Sequence, residues 1–341
     1  MVKSEDVTAK VCRVIRLRIN SDGPGVRSVV FLYGCPLQCE WCCNPETRFG
    51  NKYYTVTARQ LYDLVKRDLP YFRESGGGVT FTGGEPMAQQ GFIREFMNLV
   101  QGEFPVAMET SLYASREAVE DLLPDVEHWY VDYKAHDPED HLRYTGVSPD
   151  RIRENLALLA REAGPEKITL TYPVVPGRND SEEHVRGMIG FMHQHGLKRV
   201  QLHPYRKNRE RKYEKQGLLF EPIEQLSRVT LDRIRESFIR ARIALDEPVE
   251  YRERILVMGD SITQGYTSHF PSLTYVAQVA AARNADFLNQ AIGGEVFFPD
   301  ILTPLDWQPT MALLAYGTND WSNNMSIATF KTAVENTIKL C

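Results

Sequence analysis

The chain has 341 residues, 43% hydrophobic and 25% charged, a balance that suits a folded globular protein and excludes a disordered or fibrous one. A formal net charge of −5 excludes an overall basic field for nucleic acid or for an anionic membrane surface. No apolar run reaches the roughly 20 residues that span a bilayer, and the start, Met1-Val2-Lys3-Ser4-Glu5-Asp6, lacks the apolar core of a signal peptide, so a cytoplasmic protein is expected.

Short β-rich runs at 27–34, 78–82, 104–109, 128–134, 167–175 and 198–202 alternate with helical patterns. Thr57 with Gln60 reads as a capping box that opens a helix running to about residue 69, ended by Pro70. Stretches 151–161 and 181–195 space their apolar residues as helices do, and Asp180 is placed to cap the second. Six βα repeats predict an α/β fold with a parallel sheet closed or partly closed into a (β/α)6 barrel. In such a barrel the reactive groups belong after the C-terminal ends of the strands. Each run leads into a polar or Gly/Pro motif there: the cysteine cluster, Gly83-Gly84-Glu85-Pro86, Glu109-Thr110-Ser111, Asp132-Tyr133-Lys134, Pro176-Gly177 and His203-Pro204-Tyr205. The basic run 206–212 has an acid inside it and reads as a solvated loop. Asp246-Glu247-Pro248 breaks the pattern, which predicts a domain over 1–247 and a second segment over 248–341.

In a reducing compartment cysteines act as metal ligands or reactive thiols. Of six cysteines, four lie between positions 35 and 43. Cys35, Cys39 and Cys42 form a C-x₃-C-x₂-C array on one loop, suited to three corners of a cubane iron–sulfur cluster whose fourth iron lacks a protein thiolate. Zinc and a metal-free reactive loop are the alternatives; structural zinc would favour a second close pair of ligands, and none is present. Cys43, adjacent to Cys42, reads as a free thiol.

The array, with Trp41 before its last cysteine, resembles the radical S-adenosylmethionine superfamily. The stretches Asp22-Gly23-Pro24-Gly25-Val26-Arg27 through Gly34-Cys35-Pro36-Leu37 and Trp41-Cys42-Cys43-Asn44-Pro45-Glu46 resemble, more narrowly, the glycyl-radical-enzyme activating enzymes, relatives of pyruvate formate-lyase activating enzyme. The resemblance covers about residues 10–243 and implies a partial (β/α)6 radical-SAM barrel. It implies a [4Fe–4S] cluster on Cys35, Cys39 and Cys42, with S-adenosyl-L-methionine chelating the open iron. One electron would break the S–C5′ bond, and the resulting radical would take hydrogen from a glycine of a partner, a glycyl radical enzyme. A low-potential donor such as flavodoxin or ferredoxin is implied.

By the same resemblance Gly83, Gly84 and Glu85 are the methionine-binding turn, and Glu109 receives the ligand ammonium. Lys134 meets the ligand carboxylate, Asp132 lies near the target glycine, and Val175 contacts adenine. The family often has Pro-Tyr-His after its last strand. Here Arg206 follows Pro204-Tyr205, so Arg206 or His203 would replace that histidine; on strand alternation His203 points the other way. Many activases insert an eight-cysteine module after the first array. Six cysteines exclude it, so a single-cluster activase is expected.

In the second segment, Gly259-Asp260-Ser261, Asn289-Gln290-Ala291-Ile292-Gly293 and Tyr316-Gly317-Thr318-Asn319-Asp320 resemble the first three blocks of SGNH/GDSL hydrolases. The resemblance implies an incomplete α/β SGNH-hydrolase-like three-layer segment with Ser261 as nucleophile and Ala291 and Asn319 as oxyanion donors. No Asp-x-x-His follows, so Ser261 lacks its activating base, and a serine esterase is the alternative function rather than the leading one.

Overall fold

The computed structural model describes residues 7–19, 22–50, 52–206 and 210–246, three strands beyond them, and Ser326 and Ala328. Nine strands form the main sheet: β1 (Thr8–Ile19), β2 (Val26–Leu32), β3 (Tyr54–Thr57), β4 (Gly78–Gly83), β5 (Val106–Thr110), β6 (His128–Asp132), β7 (Ile168–Val174), β8 (Arg199–Pro204) and β9 (Ala244–Leu245). Their order is β3-β1-β2-β4-β5-β6-β7-β8-β9. From β2 to β9 every pair is parallel, while β1 runs antiparallel to both β2 and β3. This is a mixed, open sheet, a partial barrel rather than a closed one. The six expected strands are β2 and β4 to β8. The strands β1, β3 and β9 were not expected.

Alternation along the strands makes two different faces. Val30, Leu32, Val79, Phe81, Trp129, Val131, Leu170, Tyr172, Val200 and Leu202 are buried in one core. Against them pack Ile93 and Phe96 from the helix Gln90–Val100, Leu156 and Leu159 from Asp150–Glu162, Met188 and Met192 from Glu182–Gln194, and Ile234 and Phe238 from Arg228–Arg240. The residues between them on the strands, Thr80, Thr82, Glu109, Asp132, Thr171 and His203, turn to the opposite, inner face.

Two local expectations are corrected. The capping box is present, Thr57 accepting from the Gln60 N–H at 3.1 Å and Gln60 accepting from the Thr57 N–H at 2.9 Å, but the helix is Ala58–Val65 and not longer. A 3₁₀ turn follows, and Pro70 opens the next helix, Leu69–Ser75, at its first turn, where a missing N–H costs nothing. The cap of helix Glu182–Gln194 is Ser181, which accepts from the His184 N–H at 3.1 Å; Asp180 accepts from the Gly177 N–H at 2.9 Å and so shapes the preceding turn.

Two polar knots, one buried and one near the surface, fasten the additional strands. Asp68, fully buried, accepts from Arg16 of β1 (2.9 Å from Nε, 2.5 Å from Nη2) and from Ser28 of β2 at 2.6 Å. Just beyond β9, Asp246 accepts from Arg199 Nε at 2.8 Å and from the Thr169 hydroxyl at 3.3 Å.

A separate parallel sheet has the order β11-β10-β12, from β10 (Glu253–Gly259), β11 (Ala285–Asn289) and β12 (Met311–Ala315). Ser261, Ala291 and Asn319 lie outside the described residues. No helix of the described residues is long and apolar enough to cross a membrane.

Candidate functional site

The cysteine loop leaves β2 and is held from several sides. The Gly34 N–H donates to the Thr47 carbonyl at 2.8 Å, and the Cys42 N–H to the Cys39 carbonyl at 3.3 Å. The helix Pro138–Thr145 ends beneath the loop. Its last carbonyls, unsatisfied within the helix, accept from it: Thr145 from the Gln38 N–H at 2.6 Å and Tyr144 from the Glu40 N–H at 3.1 Å. Gly146 ends that helix at φ 76°, and a Cβ there would stand 3.3 Å from Gln38. The stretch from His136 to Val147 is thus a platform for the cysteines, a role its sequence does not announce.

Cys35, Cys39 and Cys42 are close enough to influence one another's ionisation, and burial is the main cause that pushes all three thiols up, Cys35 to about 12. Neutral thiols are poor ligands, so metal binding here displaces protons. Trp41, 3% exposed, sits 5.7 Å ring to ring from Tyr144 and joins Val175, Tyr205 and Ile223 in an apolar cluster apart from the main core. Three soft donors on one loop beside an apolar wall have the chemistry of an iron–sulfur site, although among the described residues no three His, Cys, Asp or Glu side chains converge closely enough to hold a metal ion. Cys43 is exposed.

The Gly83-Gly84-Glu85 turn lies against the start of the cysteine loop. Gly84 N–H donates to the Leu32 carbonyl at 2.9 Å, and Glu85 N–H to the Gly34 carbonyl at 2.7 Å. Gly83 has φ 111°, and a Cβ on Gly84 would overlap the Gly34 carbonyl oxygen, so side chains are excluded by contact between two backbones. The Glu85 side chain turns inward, 1% exposed. Its oxygens accept from the Thr110 hydroxyl (2.5 Å), the Met87 N–H (3.0 Å), the Ser111 N–H (2.8 Å) and the Ser111 hydroxyl (2.5 Å). Burial still pushes its carboxyl above the usual range.

Three ionisable groups line the inner face nearby. Lys134 Nζ donates to Asp132 Oδ2 at 2.7 Å, and the Thr171 hydroxyl to Asp132 Oδ1 at 2.6 Å. Burial opposes both charges, but each holds the other: Asp132 stays below the usual carboxylate range and Lys134 stays firmly protonated. Glu109 accepts from the Thr82 hydroxyl at 2.6 Å. Burial, with Asp132 and Asp22 nearby, pushes its carboxyl up to about 7. His203 adds to the field that lowers Asp132, placing it on the inner face, while Arg206 is exposed past the strand end.

Asn179 was not anticipated. It is 1% exposed and uses its whole amide, donating to the carbonyls of Lys134 (2.8 Å) and Pro173 (2.7 Å) and accepting from the Val175 N–H (2.8 Å). It ties the loop of Val175 to the backbone of Lys134. The run Pro176-Gly177-Arg178-Asn179-Asp180 marks a turn, but not which residue bridges two loops.

A parallel partial barrel with three cysteines after its first parallel strand is the frame of a radical enzyme, and residues 29–189 match the model of the Radical SAM superfamily. The chain is 31% identical over 263 residues to the 4-hydroxyphenylacetate decarboxylase activating enzyme of Clostridioides difficile (strain 630), covering 59% of this chain and 83% of that protein. It is 30% identical to the isethionate sulfite-lyase activating enzyme of Oleidesulfovibrio alaskensis (56% and 82% covered). It is 27% identical to the indoleacetate decarboxylase activating enzyme of Tractidigestivibacter scatoligenes (59% and 84%). Among solved structures, a domain of pyruvate-formate lyase-activating enzyme from Bacteroides vulgatus superposes with a TM-score of 0.42 at 20% identity, covering 50% of this chain and 99% of that one. The chain belongs to the radical SAM superfamily and, within it, to the glycyl-radical-enzyme activating-enzyme-like family. It is a radical SAM oxidoreductase.

Proposed function

We propose that Cys35, Cys39 and Cys42 hold one [4Fe–4S] cluster, that S-adenosyl-L-methionine binds beside it, and that the chain generates a glycyl radical on a partner enzyme. When bound, cluster and ligand supply a one-electron cleavage that ends in hydrogen abstraction from a glycine. The observation that carries this reading is that three half-buried thiols share one loop, with Lys134 near Cys35 and Cys39 and with Asp132 and Glu109 beside it at the ends of neighbouring strands. A zwitterionic ligand needs both signs of charge. Lys134 is the cation for its carboxylate and Glu109 the anion for its ammonium. The N–H groups of Gly84 and Glu85 are spent on β2 and the cysteine loop, so the turn at Gly83 and Gly84 offers an ammonium carbonyl oxygen. Glu85 acts by fixing that turn. Val175, held by Asn179, offers an adenine ring an apolar side chain and ordered backbone. Asp132 serves Lys134 and faces the place where a target glycine would enter. His203 reaches the methionine end from the inner face, whereas Arg206 would have to fold back.

The electron comes from a low-potential donor such as flavodoxin or ferredoxin. The alignment to the C. difficile relative is longer than the part of this chain it occupies, so that relative carries residues without a counterpart here. This supports a single-cluster enzyme. The test is anaerobic reconstitution with iron and sulfide, then dithionite and S-adenosylmethionine. The expected product is 5′-deoxyadenosine, reduced to background in Cys39→Ala; its absence from the wild-type chain overturns the reading.

A domain boundary near residue 247 belongs to the same proposal. The second reading, a serine esterase over 248–341, is favoured by one observation: β10 is the central strand of a parallel sheet, and Ser261 follows its C-terminal end. Hydrolysis of p-nitrophenyl acetate that is lost in Ser261→Ala would support it, and equal rates in the two would end it.

A further inference from the structure

The turn after β7 sends two successive side chains to two different loops. Within the turn the Val175 carbonyl accepts from the N–H groups of Arg178 (3.1 Å) and Asn179 (3.3 Å), which fixes both residues relative to Val175. Asn179 reaches inward to the Lys134 carbonyl at 2.8 Å. Arg178 reaches the other way, its Nε donating to Glu40 Oε2 at 2.9 Å, and Glu40 stands between Cys39 and Trp41 in the cysteine loop. Two loops whose contacting residues are 138 apart in sequence are joined by this pair. The contact is seated on Tyr144 of the helix Pro138–Thr145. The Arg178 guanidinium lies 5.5 Å from the centroid of the Tyr144 ring, and Trp41 packs on the same ring at 5.7 Å. The Tyr144 carbonyl accepts from the Glu40 N–H at 3.1 Å, so Glu40 is held by its main chain from one element and by its side chain from another. Glu221, 3.9 Å from Arg178 and 91% exposed, is a more distant and more solvated competitor.

The side chains of Arg178 and Glu40 are 26% and 37% exposed. An ion pair so placed contributes little to stability, because water screens it and two long side chains must be ordered to make it. What it does is tie the loop of Val175 to the loop of the cysteines. We propose, on the reading that a nucleoside lies against Val175, that Arg178 and Glu40 are positioning residues that couple the seating of that nucleoside to the order of the cysteine loop. A ligand that settles the turn settles Arg178, and Arg178 then holds Glu40 and with it the main chain between Cys39 and Cys42. By linkage the effect runs both ways, so an ordered cysteine loop favours ligand binding to the same degree.

The test has two readouts, neither of them turnover. In the cluster-free full chain, iodoacetamide should label Cys39 and Cys42 faster in Arg178→Met and in Glu40→Gln than in the wild type, by about two- to fivefold, the range open to a half-exposed ion pair. In the reconstituted chain without reductant, the affinity for S-adenosylmethionine, measured by isothermal titration calorimetry, should fall by a similar factor in each variant. The double variant Arg178→Met/Glu40→Gln should be no worse than either single one, because both remove the same contact. The exchanged pair Arg178→Glu/Glu40→Arg should recover part of both losses, which general loosening of the fold would not allow. Wild-type labelling rates and affinity in the single variants overturn the proposal, as do losses that add in the double variant. Faster labelling with unchanged affinity makes the pair a brace for the loop alone and overturns the coupling. A reconstituted wild-type chain that holds iron but binds no S-adenosylmethionine overturns the ligand reading as well, and that failure shows before any variant is compared.

Discussion

Glu85 sits where water does not reach, and four donors converge on its two oxygens. It joins the loop after β4 to the loop after β5, and so fixes the turn proposed to meet the ligand. Removing it strands buried donors on Thr110, Ser111 and Met87, a loss worth about 3 kcal/mol. Glu85→Ala should lower the urea midpoint accordingly in cluster-free protein, whereas a surface change such as Glu154→Ala should leave it in place. Glu109 makes the opposite kind of statement. Its carboxyl is raised to about 7 in the fold, so the folded state holds a proton that the unfolded chain has already released. Its contribution to stability is complete below the ordinary glutamate range and is lost as pH rises through about 7. Thermal unfolding of cluster-free wild type should therefore weaken from pH 6 to pH 8 relative to Glu109→Gln; parallel curves would refute the assignment. The residue types at these positions were legible in the sequence. The direction in which Glu85 points was not, because a Gly-Gly-Glu-Pro turn is compatible with either face, and only the packed Thr110-Ser111 decides it.

At the scale of elements, the parallel strands announce themselves because each is an apolar run that ends in a turn motif. The unexpected ones lack that signature. β1 carries Arg13, Arg16 and Arg18 among its apolar residues and is interrupted by register shifts, which break the two-residue period a strand is recognised by. β9 is two residues long and is held as much by Asp246 as by its ladder. The helix Pro138–Thr145 was visible only as a motif, since its task, lending C-terminal carbonyls to the cysteine loop, depends on a contact about a hundred residues away in sequence. The Asp246 knot yields a prediction. A chain ending at residue 247 keeps β9 and the bonds of Asp246 to Arg199 and Thr169. A chain ending at 243 loses all of them and should be less stable by about 1–3 kcal/mol, read as a lower urea midpoint. Equal midpoints would show that the strand contributes nothing.

For the whole molecule, the edges of its two sheets determine how it meets copies of itself. An unpaired strand is a template for another chain, and the hazard grows with its length and flatness. The main sheet ends on one side in two residues of β9 and on the other in four residues of β3, which run straight into a capped helix. These two strands offer a foreign strand only a short foothold, and residues 12–19 of β1, which among the described strands pair only with β2, carry arginines and register shifts that break the edge. Among the described residues the second sheet ends in β11 and β12, five residues each, both parallel and rich in apolar side chains. Separated from each other, the two halves should part company in solution: 1–247 monomeric by light scattering, 248–341 self-associating as its concentration is raised.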